Sequence, residues 1–233
     1  VARRERLMIG VVNAAKVVNM RRDAQLRDAV LSSDLILADG FAVVAAARVL
    51  GRPIPERVPG IDLMCAILER GRSRRYRVFC LGAAADVLTL TERAIAARYP
   101  GVELVGGQHG YFATEDEPRI AAAIRASRAD VLFVAMTSPR KEQFLAAWGP
   151  ALDVPVCHGV GGSFDVLAGK VRRAPESWQR LGFEWLYRVL QEPRRLWKRY
   201  LVTNSLFLGL LVAELCRGAS DRVFASHAVR RAP

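Results

Sequence analysis

The chain has 233 residues, 52% of them hydrophobic and 25% charged, which fits one large domain or a domain with an appendage and excludes disordered, fibrous and collagen-like proteins. The formal net charge is +12, and residues 170–233 carry 13 Lys and Arg against five Asp and Glu. A C-terminal segment this basic needs an anionic partner, for which nucleic acid and the anionic cytoplasmic leaflet of a membrane are the candidates.

The first predicted strand is the apolar run Leu7 to Val12, which delivers Asn13 to the carboxyl edge of a sheet. Asn13 could hydrogen-bond a sugar or a base, and a turn-forming role explains it equally well. The chain begins at Val1 rather than Met, so we expect a further segment upstream. No signal-peptide pattern opens the sequence. A helix is predicted over Arg22 to Ser32.

The clearest chemistry lies around Asp39. A predicted strand at Leu35 to Ala38 ends on Asp39 and Gly40, and an Ala-rich helix follows from Phe41 to Leu50. Ligands of open α/β sheets bind at the carboxyl ends of strands, so Asp39 is a candidate base for an attacking hydroxyl. Arg57 could hold a negatively charged substrate. The alternative is that Asp39 only caps the following helix.

A strand, helix, strand unit is the strongest local pattern. After a helix that starts at Gly60, it comprises Arg77 to Gly82, a helix from Asp86 to Tyr99, and Val102 to Val105, which predicts parallel pairing with a right-handed crossover. The segment after Gly82 lacks the glycine-rich dinucleotide fingerprint, which excludes a Rossmann NAD site. A nucleotide phosphate could still rest on the helix N-terminus.

A glycine-rich loop, residues 106–112, carries His109 and Tyr111. On the residues alone we interpret it as a tight turn whose rings cap the core. A helix over Pro118 to Ser127 and a buried strand at Asp130 to Ala135 follow, and the next segment carries Lys141 and Glu142. Glu142 suits the positive end of a helix, whereas the pattern leaves open whether Lys141 faces the crevice or the solvent.

The last predicted strand is Val154 to Cys157, followed by a glycine-rich segment that contains Gly161, Gly162 and Asp165. Its glycines would let backbone amides approach a phosphate closely, or they form a turn without a ligand. About six strands interleaved with helices predict an α/β fold over residues 1–175, a parallel Rossmann-like sheet sandwiched by helices.

Residues 176–233 are predicted to form a basic helical appendage that binds a membrane. From Trp178 to Tyr200, aromatic residues alternate with Arg and Lys, as in interfacial helices. Leu201 to Cys216 is apolar but spans only 16 residues and contains Asn204 and Glu214. We therefore expect a helix that lies on a membrane or packs on the domain, rather than one that spans a bilayer.

The four cysteines and three histidines are scattered without metal-ligand spacing. This pattern is typical of reduced thiols in a cytosolic protein, and we expect no metal site.

The chain is similar to the WecG/TagA/CpsF-type bacterial glycosyltransferases, which include N-acetylmannosaminyltransferases and capsular and exopolysaccharide synthesis proteins. The similarity rests on several motifs that occur in the same order along the chain. The resemblance covers about residues 8 to 200. It rests on the Asn13 strand end, Ala38-Asp-Gly40, Arg57-Val-Pro-Gly-Ile-Asp62, His109-Gly-Tyr-Phe112, Ser138-Pro-Arg-Lys-Glu142, Gly159-Val-Gly-Gly-Ser-Phe-Asp165, Arg173-Ala-Pro175, and Glu184-Trp-Leu-Tyr-Arg188 through Glu192-Pro193 to Arg195.

The resemblance implies an inverting, metal-independent enzyme that moves a sugar from a UDP-sugar to an undecaprenyl-diphosphate-linked acceptor, without a cofactor. Asp39 matches the general base. The expected substrate-binding residues are Asn13, Arg57, Gly82, His109, Tyr111, Lys141, Glu142, Gly161, Gly162 and Asp165. Arg188, Arg195, Lys198 and Arg199 are expected to meet the lipid-linked acceptor at the membrane.

The chain departs from the family pattern at two substrate-facing positions, with Val11 where many members have Thr and Lys141 where many have Gln. The form of residues 138–142 looks more like the exopolysaccharide branch, whose donors vary, so the donor sugar stays open. The expected partners are a UDP-sugar, a polyprenyl-diphosphate-linked acceptor and the inner face of the cell membrane, with no nucleic acid and with a homo-oligomer left open. The rival hypotheses are a basic nucleic-acid-binding protein and a soluble nucleotide-sugar-processing enzyme.

Overall fold

The computed structural model describes residues 5–229 and, for Arg195 and residues 218–229, the backbone alone. A six-stranded, wholly parallel sheet forms its centre, in the strand order β2-β1-β6-β5-β3-β4. This architecture confirms the predicted α/β class. The strands are β1 (Leu7–Val12), β2 (Leu35–Ala38), β3 (Arg77–Gly82), β4 (Glu103–Gln108), β5 (Val131–Ala135) and β6 (Val156–Gly159).

Helices follow the strands as the doubly wound pattern predicts, and three more helices complete the chain. They are α1 (Ala14–Met20), α2 (Ala24–Leu31), α3 (Phe41–Val49), α4 (Gly60–Arg74), α5 (Ala85–Arg98), α6 (Glu117–Ala126), α7 (Arg140–Trp148), α8 (Ser163–Leu167), α9 (Glu176–Arg180), α10 (Glu184–Gln191) and α11 (Pro193–Val229). Short 3-10 turns lie at Thr114–Asp116 and Gly149–Ala151.

Helices cover both faces of the sheet, and the apolar sequence of β5 explains why both faces have to be buried. Every residue of this strand is buried. Leu132 and Val134 pack with residues of α6 and α7, whereas Val131, Phe133 and Ala135 pack with residues of α4 and α5. A continuous apolar run is what a strand buried on both faces requires, so the core lies in two layers on either side of the sheet.

The predicted bounds of two strands, β4 and β6, were wrong. β4 continues to Gln108, because Gly106 and Gly107 pair with β3 instead of forming a loop. The Phe79 ring occupies the space where a side chain at Gly106 would lie, since a Cβ there would come within 2.5 Å of it. β6 begins at Val156 and ends at Gly159, so His158 belongs to the strand and is fully buried.

Gly82 is required for the contact between β3 and β5. Its φ is 124°, and a Cβ there would lie 2.4 Å from the Ala135 carbonyl oxygen. We expect Gly82→Ala to lower the free energy of unfolding by about 3 kcal/mol, because overpacking against backbone adds to the strained φ.

The matched control for this prediction is Gly51→Ala. Gly51 also has a positive φ, 73°, but no atom lies within 4 Å of a Cβ placed there. Its expected cost is only about 1 kcal/mol. Urea unfolding of both variants measures the difference, and equal costs would show that the contact with Ala135 can relax.

Several contacts pack the appendage on the sheet domain, three of them away from the charged residues of the crevice. α11 packs along α1, and its Leu196 is buried. Gln191 of α10 both accepts from and donates to the backbone of Arg172, at 3.0 and 2.9 Å. The Phe41 ring fills the space beside Gly182, where a Cβ would come within 2.7 Å of it. These contacts set α10 over the end of β2.

The apolar part of α11 is longer than the sequence pattern indicated. It runs over 22 residues, Leu196–Arg217, with a mean hydropathy of 1.3, which is enough to cross a membrane by length and composition. Only 6% of it is buried, so most of it does not pack on the domain. The structure thus describes a mostly exposed apolar helix, and its binding to a membrane stays a prediction.

Candidate active site

Asp39 and Asn13 meet at the carboxyl ends of β2 and β1. The Asp39 amide donates to Val12 O at 2.8 Å, and a Cβ on Gly40 would lie 3.9 Å from the Asn13 Cβ. Gly40 is the N-cap of α3, where no side chain makes a capping bond, so Asp39 does not cap that helix. Asn13 Oδ1 caps α1 by accepting from the Lys16 amide at 3.0 Å, which realises its turn-forming role.

The Asp39 carboxylate is half-buried among four charged groups. Burial, followed by the negative charge of Glu184, raises its pKa to about 6, while Arg57, Arg188 and Lys16 oppose the rise. A carboxylate with a pKa just below neutrality is ionised at pH 7 and still accepts a proton readily. Asp39 therefore has the protonation behaviour of a general base.

We expect the pH dependence of turnover to report this shift. If Asp39 is the base, only its ionised form is active, so kcat/KM should fall about tenfold per pH unit below pH 6 and level off above pH 7. A rate profile between pH 4.5 and 8.5 measures the limb. A flat profile down to pH 4.5 would contradict an Asp39 base with this pKa.

A backbone hydrogen bond of the next residue places Arg57 at the site, and an ion pair with the appendage holds its side chain. Val58 N donates to Ala38 O at 2.9 Å, which brings this segment beside the end of β2. Arg57 Nη1 lies 3.0 Å from Glu184 Oε2, and both side chains are mostly buried. Glu184 is in the first turn of α10, so the appendage supplies a wall of the crevice.

Arg188 lies one turn after Glu184 on the same helix and reaches the end of β6. Its Nη2 is 3.0 Å from the position of a Cβ on Gly162, and Asp165 Oδ2 is 3.7 Å from that position. The Arg188 charge also acts on Asp39. The structure thus brings Asp39, Gly162 and Arg188 together.

Lys141 and Glu142 start α7 and are both buried. Lys141 Nζ lies 3.0 Å from Glu142 Oε1 and 3.9 Å from the position of a Cβ on Gly161. Lys16 of α1 lies 2.8 Å from the same Glu142 oxygen. Lys141 is thus close to the glycine loop, whereas Glu142 is occupied by two lysines.

His109, Tyr111 and Gly82 lie at the ends of β4 and β3, and strands β1, β6 and β5 separate β3 from β2, which Asp39 follows. His109 Nδ1 accepts from the Tyr111 amide at 3.2 Å, and the Tyr111 side chain is 77% exposed. Arg140 holds this loop by donating to Gly110 O and Phe112 O. The structure does not bring these predicted substrate residues into contact with the base.

The remaining predicted acceptor residues, Arg195, Lys198 and Arg199, are in the first two turns of α11. Lys198 and Arg199 are exposed, and the Arg199 guanidinium lies 5.7 Å from the centroid of the Tyr200 ring. The side chain of Arg195 lies outside the described residues. The exposed cations lie beside the exposed apolar face of this helix.

Four further residues support the site although the sequence pattern assigned them no role: Lys16, Glu184, His158 and Asp62. Glu184 and Asp62 lie in motifs quoted for the resemblance. His158 Nε2 lies 3.0 Å from Gly60 O and so joins β6 to the start of α4. Asp62 pairs with Arg173 at 2.5 Å. Their partners are distant in sequence, so no local pattern predicts these contacts.

No cluster of three or more His, Cys, Asp or Glu side chains within residues 5–217 could hold a metal ion. Cys80 and Cys157 are buried free thiols, and Cys216 is exposed.

Comparison with known proteins shows which family the chain matches and one relative that it resembles. The model of a family described as the glycosyl transferase WecG/TagA/CpsF family matches residues 1–221. A Bacillus spizizenii protein named N-acetylglucosaminyldiphosphoundecaprenol N-acetyl-beta-D-mannosaminyltransferase is 39% identical over 175 residues. The match covers 75% of this chain and 67% of that protein.

Proposed function

The chain belongs to the WecG/TagA/CpsF family of glycosyltransferases, and from this premise we propose that it moves a sugar from a UDP-sugar to a polyprenyl-diphosphate-linked acceptor with inversion. The observation that carries the mechanism is the position of Asp39. Its carboxylate is at the mouth of the sheet, has a pKa of about 6, and lies among the cationic groups of Arg57, Arg188 and Lys16.

The B. spizizenii relative supports an undecaprenyl-diphosphate-linked N-acetylglucosamine as the acceptor, since its name states that acceptor. Its name also makes N-acetylmannosamine the first donor sugar to test. Val11 and Lys141 differ from the pattern of many members, so other UDP-sugars belong in the same screen.

In the proposed reaction, Asp39 takes the proton of the acceptor hydroxyl as its oxygen bonds to the anomeric carbon. The bond from that carbon to the donor diphosphate breaks, and the electron pair leaves with UDP. Lys141, Arg188 and the backbone amides of Gly161 and Gly162 would stabilise the departing diphosphate, since Lys141 Nζ lies near Gly161 and Arg188 Nη2 lies near Gly162. A single carboxylate is sufficient for this step, and no metal is needed in it.

The exposed residues of α11 support the proposal that the acceptor is bound at a membrane. α11 exposes Trp197, Leu201 and Leu208, next to the cations Lys198 and Arg199. Apolar side chains would enter the bilayer interface while the cations meet lipid and acceptor phosphates. We therefore propose a peripheral position on the cytoplasmic face of the cell membrane.

Screening UDP-sugars for UDP release tests the proposed function. We expect release only when a lipid-diphosphate-linked N-acetylglucosamine acceptor is present, with one UDP per disaccharide formed. Release of UDP without an acceptor would instead support a nucleotide-sugar-processing enzyme. If no UDP-sugar is turned over with the acceptor, the proposed donor class is wrong.

A further inference from the structure

At the bottom of the crevice, two buried lysines form ion pairs with the same carboxylate oxygen of Glu142. Lys16 Nζ and Lys141 Nζ lie 2.8 and 3.0 Å from Glu142 Oε1. The three residues are 6%, 9% and 7% exposed. The other Glu142 oxygen is buried and has no hydrogen-bond partner in the protein. The group thus carries a net charge of +1, and its negative charge is shared by two cations.

Burial and neighbouring charges act on both Glu142 and Lys16. Burial opposes ionisation of Glu142, but the charges of Lys141 and Lys16 outweigh it and lower the carboxyl pKa. Burial lowers the pKa of Lys16, an effect that the Lys141 charge reinforces and the Glu142 carboxylate opposes. Two buried ammonium groups would repel each other without the carboxylate between them.

Lys16 is fixed by the strand that leads to the site. Its Nζ donates to Val11 O as well as to Glu142, so it joins β1 to the start of α7. Lys141 has a different second neighbour, the glycine loop after β6. A Cβ on Gly159 would lie 3.1 Å from Lys141 Cε, and one on Gly161 would lie 3.9 Å from its Nζ. Of the two lysines, Lys141 is therefore the one placed to contact a phosphate on that loop.

We propose that Lys16 is a positioning residue that neutralises Glu142, so that the Lys141 ammonium keeps a positive charge for the diphosphate of a nucleoside diphosphate donor. The inference rests on the proposed UDP-sugar donor. Without Lys16, Lys141 and Glu142 form a closed, neutral pair, and a diphosphate has to compete with a buried carboxylate for the ammonium. With Lys16 in place, Glu142 is already neutralised, so the positive charge of Lys141 is available to a diphosphate.

Binding of UDP, measured by calorimetry, tests this proposal on the full chain. We expect Lys16→Met to weaken UDP binding about tenfold or more, which is the size of one lost charge-assisted contact. Lys16→Arg should retain most of the affinity. The double variant Lys16→Met/Glu142→Gln should recover it to within about threefold, because the competing carboxylate is removed together with its partner.

Arg27→Met is the matched control, because it removes one cation from an exposed pair with Asp28. It should bind UDP as the wild type does. The donor KM should follow the same order as the binding constants, whereas kcat should change less. If the double variant binds as weakly as Lys16→Met, Lys16 acts through packing and the inference is wrong.

The outcomes separate this inference from the proposed function. If wild type binds UDP and Lys16→Met binds it equally well, the inference alone fails. If wild type does not bind UDP, the donor assignment fails and the inference falls with it. Should Lys16→Met not fold, the comparison of Lys16→Arg and the double variant with wild type still decides, since a double variant weakened tenfold contradicts charge balance.

Discussion

Asp39→Asn is expected to lower kcat about 10³-fold while UDP binding stays within about twofold of wild type, because the amide keeps the shape of the carboxylate but cannot accept the proton. General bases contribute about 10²- to 10⁴-fold in rate. Glu184, whose charge acts on Asp39, is committed to Arg57. Steady-state kinetics with the lipid-linked acceptor and calorimetry with UDP measure the two effects.

The stability of the same variant serves as its control. In the folded protein the pKa of Asp39 is raised from 3.8 to about 6. The folded state therefore binds this proton more tightly than the unfolded chain does, and the free energy of unfolding decreases as the pH rises through this range. At pH 7 the neutral amide avoids that cost, and we expect Asp39→Asn to raise the free energy of unfolding by about 2 kcal/mol. A variant that is stable, binds UDP and keeps near wild-type turnover would remove Asp39 from the role of base.

Trp197→Glu/Leu201→Glu is expected to reduce binding to anionic liposomes at least 10²-fold. The two side chains are 54% and 60% exposed and lie one turn apart on α11. Burying each in a bilayer interface would contribute about 1.5–3 kcal/mol, and the substituted carboxylates would be repelled by anionic lipid. Turnover of a membrane-embedded acceptor should fall in parallel, while turnover of a short-chain, water-soluble acceptor should persist.

Leu31→Glu/Leu90→Glu is the charge-matched control, because both leucines are exposed but lie on α2 and α5. It should co-sediment with liposomes as the wild type does. If the α11 variant also binds liposomes like the wild type, this face does not meet the membrane. Retention on DNA with a steep inverse dependence on salt, and no liposome binding by the wild type, would support the rival nucleic-acid-binding role of the basic tail.

The sequence predicted the sheet well where the residues themselves decide the structure. The bounds of β1, β2 and β3 agree with the apolar runs, because a polar or glycine residue breaks each run at its end. β4 and β6 were misplaced because their ends depend on partners. Gly106 is in a strand since it pairs with Phe79, and His158 is in one since it pairs with Ile9 and Phe133. α1 was missed because its seven residues carry little periodicity.

The candidate site was predictable only in its local part. Asp39 and Asn13 follow strands, so topology alone brings them to one edge. The ion pairs that set their electrostatics join residues far apart in the sequence: 127 positions separate Arg57 from Glu184, and 126 separate Lys16 from Glu142. A single sequence contains no pattern for such pairs. The position of α10 over the crevice likewise depends on contacts such as that of Phe41 with Gly182.

The anomeric configuration of the product tests the proposed mechanism most directly. With one base and no nucleophile on the opposite face of the sugar, transfer proceeds by direct displacement, so an α-linked UDP-sugar should give a β-linked disaccharide on the lipid diphosphate. NMR of the product formed by the wild-type chain measures it. A β-linked product with one UDP released per transfer is the predicted result. An α-linked product would contradict Asp39 acting as the base of a single displacement.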